Sequence, residues 1–175
     1  AMLRMESGFD GDLKTSGKDL RTSGDLVITD GSLQVETSSV LTVEGIATVE
    51  GGELDAKDGK VALLGDLKIQ SGKLKAPSTV MTLNGNLTSS GGEFEHSDGT
   101  LQFVGTGISV ISGNHTFKNI SCLVGGKEIR FEAGSTQSVT GTFNFNGVRD
   151  TLLKLRSTVA GANWNLEFPN GNQQV

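Results

Sequence analysis

The stretches that decide the fold of this chain are Ser39-Val-Leu-Thr-Val-Glu-Gly45, Lys60-Val-Ala-Leu-Leu-Gly65, Thr79-Val-Met-Thr-Leu-Asn-Gly85 and Gly99-Thr-Leu-Gln-Phe-Val-Gly105. Each alternates apolar and polar residues and closes on a glycine, and the closing glycines are 20 residues apart. Alternation with period two is typical of a β-strand, and a fixed period of this length is typical of stacked coils. The sequence therefore predicts a β-solenoid. Its apolar positions form two columns: Leu41, Val61, Met81 and Leu101, and then Val43, Leu63, Leu83 and Phe103.

Two further strands follow in each coil, each after a glycine. The stretch Gly24–Gly31 matches Gly65–Gly72 position for position. Three strands per coil predict a triangular cross-section in which equivalent residues of successive coils lie about 4.8 Å apart. The residues predicted to point inward are Leu26, Ile28, Ala47, Val49, Leu67, Ile69 and Leu87 in one strand, and Leu33, Val35, Leu54, Ala56, Leu74, Ala76, Phe94 and His96 in the other. No coil can bury its own faces, so we expect the stability to reside in the stack.

Three parts are expected along the chain. Residues 1–23 read as a polar N-terminal cap or first coil, because their inward positions hold few apolar side chains. Residues 24–112 form the regular solenoid with coils of about 20 residues. Residues 113–175 are predicted to continue the same solenoid with longer coils.

The longer coils are predicted from a spacing of 24 residues, which lays Ile129 and Phe131 over Leu153 and Leu155. Alternation continues through Trp164, and the chain ends shortly after this strand. We therefore expect the chain to be a fragment of a longer solenoid.

The C-terminal half resembles a known family. The stretches that carry the likeness are Gly92–Gly105, Gly113–Ile120, Ile129–Gly141, Leu152–Ser157 and Trp164. They resemble the right-handed parallel β-helices of large secreted bacterial repeat proteins, among them surface proteins, adhesins and polysaccharide-associated proteins. The resemblance spans about residues 92–168. It implies an all-β, single-stranded right-handed parallel β-helix, an extracellular or cell-surface location in a bacterium, and a longer parent chain whose other domains are partners.

A second resemblance lies near the N-terminus, where the Gly-Asp-Leu phrases are similar to bactofilin, a cytoskeletal β-helix polymer. Gly11-Asp-Leu13, Gly24-Asp-Leu26 and Gly65-Asp-Leu67 are the phrases concerned. End-to-end self-association through exposed coil ends is therefore kept as a hypothesis.

Composition argues against several classes of protein. The net charge is −5 and no basic block is present, so nucleic-acid binding is not expected. No apolar run is long enough for a membrane span. Cys122 is the single cysteine and lies among apolar residues, so we interpret it as a buried small hydrophobe rather than a reactive thiol.

Enzymes with β-helix folds place carboxylates and basic residues on one outer face. Asp55, Glu95 and Gln34 fall on one such face, with Lys75 between the two acids. Alternating sign relieves repulsion between like charges on neighbouring strands, which favours a solvated face over a metal site.

The densest polar cluster consists of Glu93, Glu95, His96 and Asp98. A calcium site there would take Asp58 from the neighbouring coil as a partner of Asp98. Asp-Gly at 58–59 and at 98–99 is also good turn sequence, and we favour the turn interpretation. His96 is expected to be a buried neutral histidine satisfied by backbone. His115 is expected to lie in a loop.

Aromatic residues offer one further surface. Trp164, or the Phe143/Phe145 pair, would be exposed in a groove if the module bound carbohydrate. Trp164 alternates with apolar residues, so core packing is the favoured interpretation. No catalytic triad order, zinc spacing or phosphate loop is present in the sequence. We therefore assign no catalytic, metal or cofactor-binding residues and expect no cofactor.

The leading hypothesis is a non-catalytic structural or adhesive module of a larger extracellular or cell-surface protein. A carbohydrate-binding module on a solenoid face is the first alternative. A polysaccharide lyase or hydrolase and a self-assembling polymer subunit are the others. The partners expected are other domains of the parent chain and a polysaccharide or another cell-surface ligand.

Overall fold

A computed structural model describes residues 1–147 and 149–169 of the 175-residue chain, so Val148 and the last part of the predicted C-terminal region, 170–175, lie outside the described residues. The described residues form 23 β-strands, numbered β1 to β23 in chain order, and no helix. Every sheet is built from parallel neighbours that are distant in sequence. The result is a parallel β-solenoid of about seven turns, which confirms the predicted fold class. No helix capable of crossing a membrane occurs in the described ranges.

The strands stack into three faces. Face A is one sheet of eight strands: β1 (Leu3–Met5), β4 (Leu26–Ile28), β7 (Ala47–Val49), β10 (Leu67–Ile69), β13 (Leu87–Ser89), β16 (Ser109–Ser112), β19 (Glu128–Phe131) and β22 (Lys154–Ser157). Face C is one sheet of seven: β3 (Leu20–Thr22), β6 (Val40–Val43), β9 (Lys60–Leu63), β12 (Val80–Leu83), β15 (Thr100–Phe103), β18 (Asn119–Cys122) and β21 (Phe143–Phe145).

Face B consists of two sheets in succession. The first contains β2 (Asp12–Lys14), β5 (Ser32–Gln34), β8 (Glu53–Asp55), β11 (Lys73–Lys75) and β14 (Glu93–Glu95). The second contains β17 (His115–Phe117), β20 (Thr136–Val139) and β23 (Asn165–Glu167). Strand β14 contacts β17, so the second sheet follows the first along the solenoid.

Both predicted apolar columns are confirmed. Leu41 pairs with Val61, Val61 with Met81, and Met81 with Leu101. Every member of the two columns is at most 3% exposed. The predicted inward residues of the other two faces are also buried, except Phe94 and His96, which are only partly buried. A single core runs from Met5 to Phe143.

The coil length varies in the C-terminal part. Leu101 pairs with Ile120, which is 19 residues away, whereas Gln137 pairs with Leu166, which is 29 residues away. The predicted alignment of Ile129 and Phe131 with Leu153 and Leu155 is wrong. Those residues pair instead with Leu155 and Ser157, a slip of two residues. A slip of two leaves the same side chains on the same face, so alternation alone cannot detect it.

Glycines occupy the corner between face C and face A because the backbones of successive coils approach closely there. A Cβ added at Gly65 would lie 2.7 Å from the carbonyl carbon of Gly45 and closer still to its oxygen. Gly85 faces Gly65 in the same way. The regular glycine spacing is therefore a steric requirement of stacking.

We expect Leu83→Ala to lower the free energy of unfolding by about 2–5 kcal/mol, because Leu83 is 0% exposed and its removal leaves a cavity inside the column. The matched control is Thr82→Ala in the same strand, whose side chain is half-buried on the outer surface. Urea unfolding of both variants provides the measurement. Equal losses in the two variants would contradict the inward column.

We expect Gly65→Ala to destabilise the fold by about 1–3 kcal/mol, because the new methyl group meets the Gly45 carbonyl. Gly107→Ala is the control, since a Cβ there has no neighbour within 4 Å. Thermal unfolding should leave the Gly107 variant within about 0.5 kcal/mol of the parent. A Gly65 variant as stable as the parent would show that the corner is not sterically closed.

Candidate functional site

The outer surface of face B carries the predicted ladder of alternating charge. Gln34, Asp55, Lys75 and Glu95 are successive register partners. The Lys75 ammonium pairs with Asp55 at 3.2 Å and also with Glu53, and these carboxylates hold its pKa above the ordinary value. The predicted alternation of sign along this ladder is confirmed.

A second column of outward side chains on face B, beside the first, also alternates in charge. Glu53, Lys73 and Glu93 are register partners. The Lys73 ammonium lies 2.8 Å from Glu95 and 3.2 Å from Glu93. Its hydrogen bond to Glu95 lowers the pKa of that carboxyl group. Each lysine thus bridges two carboxylates, which keeps the acidic side chains engaged with protein cations.

The predicted partnership of Asp58 and Asp98 in neighbouring coils is wrong. The register Leu54–Leu74–Phe94 places the two aspartates two coils apart, with the coil containing Ser78 between them. Two strand spacings are about 10 Å, whereas calcium needs oxygens at about 2.3–2.6 Å. The Asp98 carboxylate instead lies 3.6 Å from the Lys118 ammonium.

The predicted polar cluster around His96 includes a turn, as the favoured interpretation stated. The backbone is left-handed at Ser97 (φ 45°) and Asp98 (φ 61°), and the Gly99 N–H donates to the His96 carbonyl at 2.9 Å. The Asp98 N–H donates to His96 Nδ1 at 3.0 Å. His96 is thus satisfied by backbone, as expected, but it is half-buried rather than buried. Within 1–147 and 149–169, no group of three or more His, Cys, Asp or Glu side chains is arranged to hold a metal ion.

His115 does not lie in a loop, so that prediction is wrong. It belongs to β17, faces the core with 5% exposure and is the register partner of Gln137. Its Nε2 lies 3.0 Å from the Ser112 carbonyl oxygen, and its ring meets Phe94 edge-on. Burial lowers its pKa. Polar neighbours in the sequence concealed the strand, since glycine and asparagine precede it and threonine follows.

The aromatic residues considered for carbohydrate binding pack against the protein. The Trp164 ring stacks on Phe131 with centroids 3.9 Å apart, and Trp164 is half-buried against the core. Phe143 is 7% exposed and stacks on Phe145 at 4.2 Å. The packing interpretation of Trp164 is confirmed.

A buried lysine was not foreseen. Lys127 is 0% exposed, and its ammonium donates to the carbonyl oxygens of Val104, Gly105 and Gly107 at 2.9–3.3 Å. These carbonyls belong to the segment in which the coil expands, and burial lowers the pKa of the lysine. The sequence did contain a signal for this burial. Lys127 precedes the inward-facing Ile129 by two residues, and residues two apart in a strand point to the same face.

Cys122 is fully buried in β18, as predicted. Burial raises the pKa of its thiol, which keeps the sulfur protonated near neutral pH. This environment fits a packing role.

We expect His115 to make stability depend on pH. Its folded-state pKa is lowered, so the unfolded chain takes up the proton first as the pH falls. The stabilising contribution is complete above about pH 6.5 and is lost as the pH falls below that value through the folded-state pKa. Urea midpoints measured from pH 7.5 to 5 should therefore decline, and His115→Gln should flatten that decline. The His96→Gln variant is the control and should retain it; the opposite pattern would contradict the buried neutral His115.

Comparisons of the chain with protein-family models, curated proteins and solved structures found no match. The resemblance to large secreted bacterial repeat proteins therefore remains a prediction from the sequence.

Proposed function

We propose that this chain is a non-catalytic structural module of a larger extracellular or cell-surface protein, in which it acts as a rigid spacer. The observation that carries the proposal is the single core that continues through all seven turns. A solenoid of this kind has no internal boundary at which it could bend without breaking apolar contacts. Seven steps of about 4.8 Å give a rod about 34 Å long.

Two further features support stiffness. Backbone hydrogen bonds join the corners of successive coils as well as the strands, as between Gly45 and Gly24 and between Gly85 and Gly65. The charge ladder on face B links three coils through the Lys73 and Lys75 ion pairs. Surface ion pairs add little stability individually, so the main resistance to bending comes from the core.

The location and partners follow from the resemblance stated above and form part of the proposal. A spacer is useful when it positions other domains of its parent chain, and an adhesive role would place a ligand-binding surface on the same rod. Detection of the parent protein in the cytoplasm would contradict the cell-surface part of the proposal.

The alternative of a carbohydrate-binding platform at Trp164 or at Phe143 and Phe145 receives no support from the packing of those rings. We therefore propose no function for these aromatic residues beyond packing.

Rigidity is tested by distances between spin labels at equivalent outer positions of face B. With Cys122→Ala as background, labels at Lys14→Cys and Glu167→Cys span seven steps, and labels at Gln34→Cys and Glu167→Cys span six. We expect two narrow distributions whose means differ by about one strand spacing, 5 Å. Samples unfolded in guanidinium chloride provide the reference for a broad distance distribution. Broad or bimodal distributions in the native protein would reject the rigid spacer.

A further inference from the structure

Two arginines border a groove on face A in the last two coils. Arg130 and Arg156 are register partners, so their backbones lie about 4.8 Å apart and both side chains point outward. The groove has a volume of about 420 Å³, and its remaining lining comes from the loop Ser157–Ala162. This volume is within the range of small-ligand sites.

The charges around the groove are not balanced. Glu128 accepts a hydrogen bond from Arg130 Nε at 2.6 Å and lies 3.5 Å from Arg156 Nε. Lys154 is the register partner of Glu128, so three cations surround one carboxylate. The hydrogen bond of Arg130 to Glu128 uses Nε, and the shortest approach of Arg156 to the same carboxylate is also through Nε. Within the described part of the chain, the Nη groups of these two arginines make no hydrogen bond.

The distribution of charge along the whole chain adds to this local excess of positive charge. Residues 118–175 carry 6 basic and 4 acidic side chains, whereas residues 1–117 carry 9 basic and 16 acidic ones. The net negative charge of the protein therefore lies in its N-terminal coils, and an anion is attracted to the C-terminal coils.

A hydroxyl group of the lining can also donate. The Thr158 hydroxyl accepts the Ala133 N–H at 3.0 Å. It retains its own proton for a ligand. Guanidinium and hydroxyl donors together select an acceptor-rich anion, and planar guanidinium groups match a carboxylate with two parallel hydrogen bonds.

We propose that this groove binds the carboxylate groups of an acidic polysaccharide. The small residues Ala160, Gly161 and Ala162 leave room for a sugar ring beside the arginines. No aromatic ring is among the lining residues, so a nucleic-acid base has no stacking surface there. The Arg130 guanidinium group already donates a hydrogen bond to one carboxylate, that of Glu128. The proposal goes beyond the spacer function and does not depend on it.

The test is a titration of the protein with trigalacturonate at low ionic strength, followed by backbone amide NMR shifts. Saturable binding is expected, with shifts confined to β19, β22 and residues 157–162, and none with neutral galactotriose. The Arg130→Gln/Arg156→Gln double variant should bind at least about tenfold more weakly. Glu128→Gln should bind about two- to threefold more tightly, because it removes a competing carboxylate.

The matched control is Lys60→Gln/Lys68→Gln, which removes the same charge from other coils and should bind like the parent. Equal weakening in this control would show diffuse electrostatic attraction and overturn the site. Absence of binding, shifts on another face, or equal affinity for inorganic sulfate would also overturn the proposal. Amide spectra of each unliganded variant establish that its fold is intact, and the spin-label distances test the spacer independently.

Discussion

Each inward side chain of this solenoid is covered by the equivalent side chains of the coils before and after it. At a spacing of about 4.8 Å, a leucine, valine or methionine fills the distance to its neighbour, so Leu41, Val61 and Met81 form one continuous apolar contact. Burial of apolar surface contributes roughly 25 cal/mol per Å², but only when the next coil is present. Folding of one coil therefore depends on its neighbours, and the end coils are the least covered. Leu13 in the first coil and Leu155 in the last coil are both more than one-third exposed.

The corners impose the second constraint, because the chain must turn sharply without leaving backbone groups unpaired. Glycine permits the close approach, and the residue after it supplies a hydrogen bond. The Asp25 carboxylate accepts the Ile46 N–H, the Asp66 carboxylate accepts the Asn86 N–H, and the Asn86 side chain accepts the Val110 N–H, each at 2.8 Å. The recurrent Gly-Asp and Gly-Asn pairs thus connect successive coils, and their side-chain oxygens have a structural role. A buried N–H left without such an acceptor would cost about 1–3 kcal/mol.

These two constraints explain which features the sequence could predict. Period-two alternation and a fixed 20-residue spacing are sufficient to identify Leu63, Leu83 and their column as core, because both signals report directly on stacking. They are insufficient where the spacing changes. The two-residue slip of Ile129 against Leu155 preserves parity, and the distance between Asp58 and Asp98 follows from counting coils rather than from residue type. The burial of Lys127 and His115 was not predicted for another reason. Polar side chains are usually exposed to solvent, but both residues occupy inward positions of the coil, where backbone carbonyl groups contact their side chains.

The division between interior and surface also determines where recognition can evolve on such a rod. Inward positions are occupied by stacking, and corner positions by glycine and its acceptors, so only outward side chains can vary without loss of the fold. On face B the lysines are engaged by acidic neighbours, since Lys73 and Lys75 each bridge two carboxylates. On face A the final two coils differ, because one carboxylate, Glu128, faces three cations. The same ladder geometry that engages the lysines of face B with carboxylates on neighbouring coils therefore leaves cations in excess over carboxylates in the last two coils of face A.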